Sequence, residues 1–310
     1  MRRLISPLLI AAVLGTAAFF ITTHPKAYSA LRGDNAFNTT RARDLENGKT
    51  LFNGGGCASC HAKPDDESRT TLSGGKPLVT PFGIFNPPNI SPDPKDGIGQ
   101  WTEAQFIRAM REGVSPEGKH YYPAFPYTSY RGLSPDDVAD LFAYLKTLPA
   151  AEGKAAPHDL AFPYSIRQGV GLWKLLYLKG TVMTADAAQS LEWNRGRYLV
   201  ETAGHCAECH SPRNALGAII SDKRFSGGPN PEGKGRAPNL TQDKTGLAAW
   251  SEDDIVTLLK DGFTPDYDSV GGSMAEVVHN TGALSDPDRQ AMAIYLKSLA
   301  PIKGEARAPK

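Results

Sequence analysis

Cys57-Ala-Ser-Cys60-His61 and Cys206-Ala-Glu-Cys209-His210 hold all 4 cysteines of the 310-residue chain. In a Cys-x-x-Cys-His segment the two thiols can form thioethers with the vinyl groups of one haem, and the adjoining histidine then faces the iron. A Cys-x-x-Cys pair alone has other readings: half a zinc site, a thioredoxin-like redox pair or a disulfide. Zinc would need both pairs around one ion, and 145 residues lie between Cys60 and Cys206. A redox pair has no use for a following histidine, which occurs here twice. The reading is two covalent haems, one attached through Cys57 and Cys60 and ligated by His61, the other through Cys206 and Cys209 and ligated by His210.

Around these motifs the chain repeats itself. Gly48-Lys-Thr-Leu51-Phe52 precedes the first motif and Gly196-Arg-Tyr198-Leu199-Val200 the second. Pro87-Pro88-Asn89-Ile90 matches Ala237-Pro238-Asn239-Leu240, and Trp101 matches Trp250. Each tryptophan opens a short helix. Thr102-x-x-Gln105 is a capping box with Gly113 as the stop, and Ser251-x-x-Asp254 with Gly262 repeats the plan. Phe106, Ile107 and Met110 form one apolar face; Ile255, Leu258 and Leu259 form its counterpart. A longer helix closes each half. One starts at Ser134-Pro135 and carries Val138, Leu141, Phe142, Leu145 and Leu148; the other starts near Ser285 and carries Met292, Tyr295, Leu296 and Leu299. These stripes are ordinary core that holds the pocket. The fold class is all-α, with the first and last helices of each half packed together beside a haem.

On its far side a haem iron takes methionine or histidine, or stays open. Met274, in Gly271-Gly272-Ser273-Met274-Ala275-Glu276, lies 64 positions after His210 and is the candidate sixth ligand of the second haem. The competing reading is a core methionine. Phe125 stands 64 positions after His61, and a phenyl ring cannot coordinate iron. The two haems should therefore differ. His120, five residues earlier in the same loop, is the candidate substitute; an open or water-bound iron, or some other group, is the alternative. Met110 sits on the helix stripe and reads as core. His24, His158, His205 and His279 lack a paired context and read as surface or local packing residues.

Arg2-Arg3 precedes an apolar run of 19 residues from Leu4 to Thr22, the pattern of a membrane-targeting segment whose N-terminus stays inside. Spanning a bilayer takes about 20 apolar residues, and a cleavable signal usually has about 7–15. An anchor formed by residues 4–22 is favoured, although Ala27, Ser29 and Ala30 would suit cleavage. Either way the remainder is exported. About 280 residues follow, enough for roughly two domains. With 34 Lys and Arg against 33 Asp and Glu the formal net charge is +1, which gives no reason to expect nucleic acid as a partner. The 24 prolines and 31 glycines point to a loop-rich fold wrapped around cofactors. The expected domains are 1–30, an anchor or signal segment; 40–150, the first haem domain; 151–186, a linker; and 187–302, the second haem domain.

Trp193-Asn-Arg-Gly196-Arg-Tyr-Leu-Val-Glu201 running into Gly204-His-Cys-Ala-Glu-Cys-His-Ser-Pro-Arg-Asn214 resembles the cytochrome c subunits of bacterial membrane-bound dehydrogenases, the alcohol and gluconate dehydrogenase group. So does the linker, with Phe162-Pro163-Tyr164, Arg167 and Leu172-Trp173. The resemblance covers about residues 45–300. It implies two tandem class I cytochrome c domains, each with one covalent haem c, behind the N-terminal membrane segment. It also implies haem attachment outside the cytoplasm, hence a periplasmic protein on the inner membrane. An axial methionine belongs where Met274 stands, and carbonyls near Pro87, Pro88 and Pro238 are candidates to orient the haem histidines. The implied role is relay of electrons from a partner dehydrogenase to the respiratory chain, with a cytochrome or oxidase as acceptor. Two departures stand out. Those subunits carry three haem units, where this chain has two. Their first haem has methionine in a Tyr-Pro-Ala-Met-Pro-Tyr loop, where this chain has Phe125. The expected function is a di-haem electron carrier. The alternative is a di-haem redox enzyme, peroxidase-like at the first haem. A thiosulfate dehydrogenase-like enzyme would use a cysteine as axial ligand, and all four here are committed to attachment. No acid–base pair or nucleophile stands out as catalytic.

Overall fold

A computed structural model describes residues 2–27, 37–231 and 235–304. Two lobes repeat one plan. In the first, α2 (Leu45–Gly54) leads into α3 (Cys57–His61), followed by α4 (Glu103–Glu112), the single turn α5 (Tyr127–Tyr130) and the closing helix α6 (Pro135–Leu145). In the second, α8 (Leu191–Tyr198) leads through a widened, π-helical turn (Leu199–Ala203) to the second cysteine pair, and α9 (Glu252–Asp261), α10 (Ser273–Gly282) and α11 (Asp286–Lys297) follow. Between them lies the linker helix α7 (Gly169–Tyr177).

Local sequence sets the helix ends as expected. Thr102 Oγ1 accepts from Gln105 N at 3.2 Å while Gln105 Oε1 accepts from Thr102 N at 2.8 Å. Ser251 and Asp254 repeat the reciprocal pair at 3.1 and 2.8 Å. Gly113 and Gly262 end these helices at φ 62° and 79°, where a side chain would be strained. Ser134 and Ser285 cap the closing helices.

The lobes close where first and last helices cross. A Cβ on Gly48 would lie 2.2 Å from Asp140 O, and one on Gly196 would lie 1.8 Å from Ala291 O. Only glycine lets the backbones approach so closely. Around the first crossing, Leu51, Phe52, Phe106, Ile107, Met110, Val138, Leu141, Phe142 and Leu145 form a buried cluster, against which Cys57 and Phe125 pack. Leu199, Val200, Ile255, Leu259, Met292, Tyr295 and Leu296 form the second, against which Cys206 packs.

The chain is mostly helical, as expected, with a few short strands beside the helices. β1 (Leu78–Thr80), β2 (Gly83–Phe85) and β3 (Asp159–Leu160) form an antiparallel sheet on the first lobe, and Gly228–Pro229 pairs with Arg236–Ala237 in the second. β3 belongs to the linker, so residues 151–186 are not a loose tether. Helix α7 docks as well. Lys174, fully buried, donates through Nζ to Glu112 O at 2.6 Å and Gly113 O at 2.7 Å, two carbonyls at the C-terminal end of α4, where helix carbonyls lack partners within the helix.

The same lysine decides the place of His120. Its Nδ1 accepts from Lys174 Nζ at 3.1 Å, and its Nε2 donates to Thr23 O at 2.7 Å. Both ring nitrogens of His120 are therefore engaged in a buried network, and neither is left for iron. His120 also pairs backbone to backbone with Val114, as Ser269 does with Phe263 in the other lobe. Its counterpart in the repeat is thus Ser269, not Met274. The N-terminal helix α1 (Arg2–Thr22) ends at this network, and Gly171 of α7 packs on Thr23. Leu9, Ile10, Val13, Leu14, Phe20 and Ile21 on α1 are exposed. Among the described residues no helix is long and apolar enough to cross a membrane. Ser29 and Ala30, the small residues after the apolar run, lie outside the described residues.

Gly196→Ala should destabilise the second lobe. Helix propensity would favour alanine by about 1 kcal/mol, but a methyl 1.8 Å from a carbonyl cannot be accommodated without backbone movement. Overpacking of about 1–3 kcal/mol should win, read as a lower Tm. His120→Leu should leave the optical spectrum of both haems unchanged. It should also flatten one part of the acid profile. Burial, with Lys174, His24 and Arg108 adding to it, pushes the His120 pKa down to about 4. The unfolded ring takes its proton near about 6.5, so folding stability falls as pH drops from there towards 4. Denaturation midpoints between those pH values should lose that slope in the variant.

Candidate haem-binding sites

Each Cys-x-x-Cys-His segment follows a turn in the left-handed region, at Gly56 and His205, and its first cysteine packs against the core cluster of its lobe. The His61 Nδ1 donates to Pro88 O at 2.8 Å, and the His210 Nδ1 donates to Pro238 O at 2.8 Å. A carbonyl only accepts, so Nδ1 carries the proton in both rings and Nε2 is the free nitrogen. This is the tautomer that a histidine-ligated metal requires, held by the kind of outer partner that raises ligand basicity. Burial lowers the pKa of both rings, against the opposing effect of the proline carbonyls, and neutral imidazole is the form that binds metal.

The thiols differ from a redox pair. Burial, helped by Cys60, pushes the Cys57 thiol up to about 12. Burial, with Glu201 and Cys209 adding to it, pushes Cys206 up to about 12. Reactive dithiols need depressed values. In each lobe the first thiol is buried against an apolar cluster and the imidazole is neutral with Nδ1 protonated, which fits a covalently attached haem. No group of three or more His, Cys, Asp or Glu that could hold a bare metal ion occurs among the described residues. With haem bound, each lobe acquires a one-electron iron centre whose potential its axial ligands and burial set.

Phe125 and Met274, at matching positions of the repeat, have different surroundings. Phe125 packs into the first cluster, its ring 5.8 Å from Tyr121 and 5.7 Å from Tyr130. Met274 lies in the first turn of α10, half-buried, just after Gly272 at φ 59°. Of the other histidines, His24 and His279 are exposed, and His158 packs on Phe85 and Tyr122. His205, read from sequence as a surface or local packing residue, lies instead at the contact between lobes, where Nε2 donates to Gly55 O at 3.2 Å. Nothing near it in the sequence marks that role.

The lobes meet along these motifs. Glu208 of the second accepts from Thr128 at 2.7 Å and Ser129 at 3.0 Å in the first. Burial works against its carboxylate, yet Arg213, 2.6 Å away, and Thr128 hold its pKa below the usual range. Asn280 donates to Ser59 at 2.8 Å, Arg69 pairs with Glu276 at 2.6 Å, and the Tyr198 hydroxyl donates to Asp137.

The cytochrome c family model matches residues 45–149 and 194–300, one match per lobe. A diheme cytochrome c-type protein of Cereibacter sphaeroides is 48% identical over 97% of this chain and 99% of its own length. The fructose dehydrogenase cytochrome subunit of Gluconobacter japonicus is 37% identical over 81% of this chain. The cytochrome c subunit of a quinone alcohol dehydrogenase from Gluconobacter oxydans is 35% identical over 86%. The chain spans 51% of the former subunit and 58% of the latter. Paired attachment motifs, oriented imidazoles and a matched domain in each lobe agree: the chain belongs to the cytochrome c family and carries two covalently bound haem c groups.

Proposed function

We propose that this electron-transfer cytochrome works outside the cytoplasm. It takes electrons from a partner dehydrogenase and delivers them to a respiratory acceptor, a cytochrome or oxidase. Cys57, Cys60, Cys206 and Cys209 attach the haems, His61 and His210 ligate them, and Met274 completes the second. The observation that carries the reading is the pair of oriented imidazoles, each with Nδ1 on a proline carbonyl 2.8 Å away, in lobes that touch through their attachment loops. The dehydrogenase partner rests on relatives that are dehydrogenase cytochrome subunits. Export and attachment to the inner membrane rest on Arg2-Arg3 and the apolar run after it, and on the exposed apolar side chains of α1, which call for an apolar partner.

A second reading gives the first haem an open position and with it peroxidase-like chemistry. It is favoured by Phe125 at the methionine position and by the engaged nitrogens of His120. Carbon monoxide added to the reduced protein separates the two: binding at one haem per chain favours the open iron, and no binding leaves a carrier with two six-coordinate haems.

Met274→Leu should lower the potential of one haem, because thioether ligation raises it, and should slow reduction by the physiological donor. An unchanged redox titration would remove Met274 from the ligand set. Reduction of the haem bands on mixing with a candidate dehydrogenase and its substrate tests the donor directly. Fractionation of cells should find the chain in the membrane or periplasmic fraction, and recovery from the cytoplasm with haem attached would exclude export.

A further inference from the structure

The residue before the first attachment cysteine adopts a left-handed conformation in both lobes. In the first it is Gly56, at φ 59° and ψ 32°; in the second it is His205, at φ 37° and ψ 35°. Glycine takes this conformation freely, whereas a side-chain-bearing residue held there costs about 1–3 kcal/mol. The first lobe makes the turn with the cheaper residue, so the imidazole at 205 must be held by something a glycine would lack.

What it has is a hold on the other lobe. Its Nε2–H donates to Gly55 O at 3.2 Å, and its ring meets Tyr130 edge to face at 5.7 Å. The Tyr130 hydroxyl donates to the same carbonyl at 3.4 Å. Gly55 lies two residues before Cys57, and His205 is the residue before Cys206. The surrounding glycines bring the sulfurs to this junction. A Cβ on Gly55 would sit 3.7 Å from Cys57 Sγ and 3.5 Å from Ala203 O; one on Gly204 would sit 3.4 Å from Cys206 Sγ and 3.7 Å from Gly54 O. The stretch linking one cysteine to the other is thus a few backbone bonds, one imidazole and one hydrogen bond.

We propose that His205 is the bridge between the lobes: it fixes the two attachment loops against each other and couples them electronically through its hydrogen bond to Gly55. With both haems bound, the step it would serve is a one-electron exchange between the two centres. One centre is oxidised as the other is reduced, and no bond forms or breaks. The inference rests on the electron-carrier reading and assigns a positioning residue within it.

The test uses the mature two-haem protein. A pulsed photoreductant reduces one haem per chain, and the relaxation between the two is followed optically. Spectroelectrochemical titration and haem content are measured on the same samples. His205→Phe keeps the ring but loses the donor, and should slow the relaxation several-fold with both potentials and haem content unchanged. His205→Gln restores an N–H and should recover much of the rate. Should the phenylalanine variant fail to mature, His205→Gly adopts the same turn without strain and should show the same loss. Arg69→Gln breaks a different contact between lobes, the pair with Glu276, and should leave the rate near wild type. The proposal is overturned by an unchanged rate in His205→Phe, by Arg69→Gln slowing the relaxation as much, or by glutamine restoring nothing. Absence of any relaxation between haems in the wild-type protein would instead sink the carrier reading.

Discussion

In each lobe an imidazole gives its Nδ1 proton to a proline carbonyl 2.8 Å away, and much of the architecture serves to make that possible. The bond selects the tautomer and keeps the ring from turning. It joins residues 27 and 28 positions apart, so the chain between must fold back with little freedom. Glycines supply the return. Gly75 passes so close to Cys60 that a Cβ would lie 1.9 Å from its carbonyl, and Gly228 packs against Ser211. The loops are therefore as constrained as the helices around them.

Duplication gave two copies of this device, and the differences between copies carry the functional information. Sixty-four positions after the motif histidine the repeat sets Phe125 against Met274. At the turn before the attachment cysteine it sets Gly56 against His205. The first difference puts a phenyl ring, which cannot coordinate iron, where the other lobe has a thioether. The second ties the lobes together, in a contact that also includes Glu208 held by Thr128 and Ser129.

The linker belongs structurally to the first lobe. β3 extends its sheet, and Lys174 caps the end of α4 from the inside. A buried lysine is tolerated because three acceptors, two carbonyls and the His120 ring, surround its ammonium group. That arrangement uses up the histidine which the loop sequence offers as an iron ligand. The end of α1 reaches the same spot through Thr23, so the N-terminal segment is seated on the first lobe beside the linker.

Reading the sequence was enough for whatever depends on neighbours a few positions away. The haem motifs, the capping boxes at Thr102 and Ser251, the stops at Gly113 and Gly262, and the repeat with its substitution at Phe125 all follow from spacing, because cap geometry and thioether attachment are local. The tertiary structure decided the fate of two histidines. His120 is held by a carbonyl 97 residues away and His205 by one 150 residues away. An imidazole has the same composition and the same near neighbours whether it faces iron, solvent or a backbone oxygen from another lobe. Only the folded chain brings up the partner that selects among them.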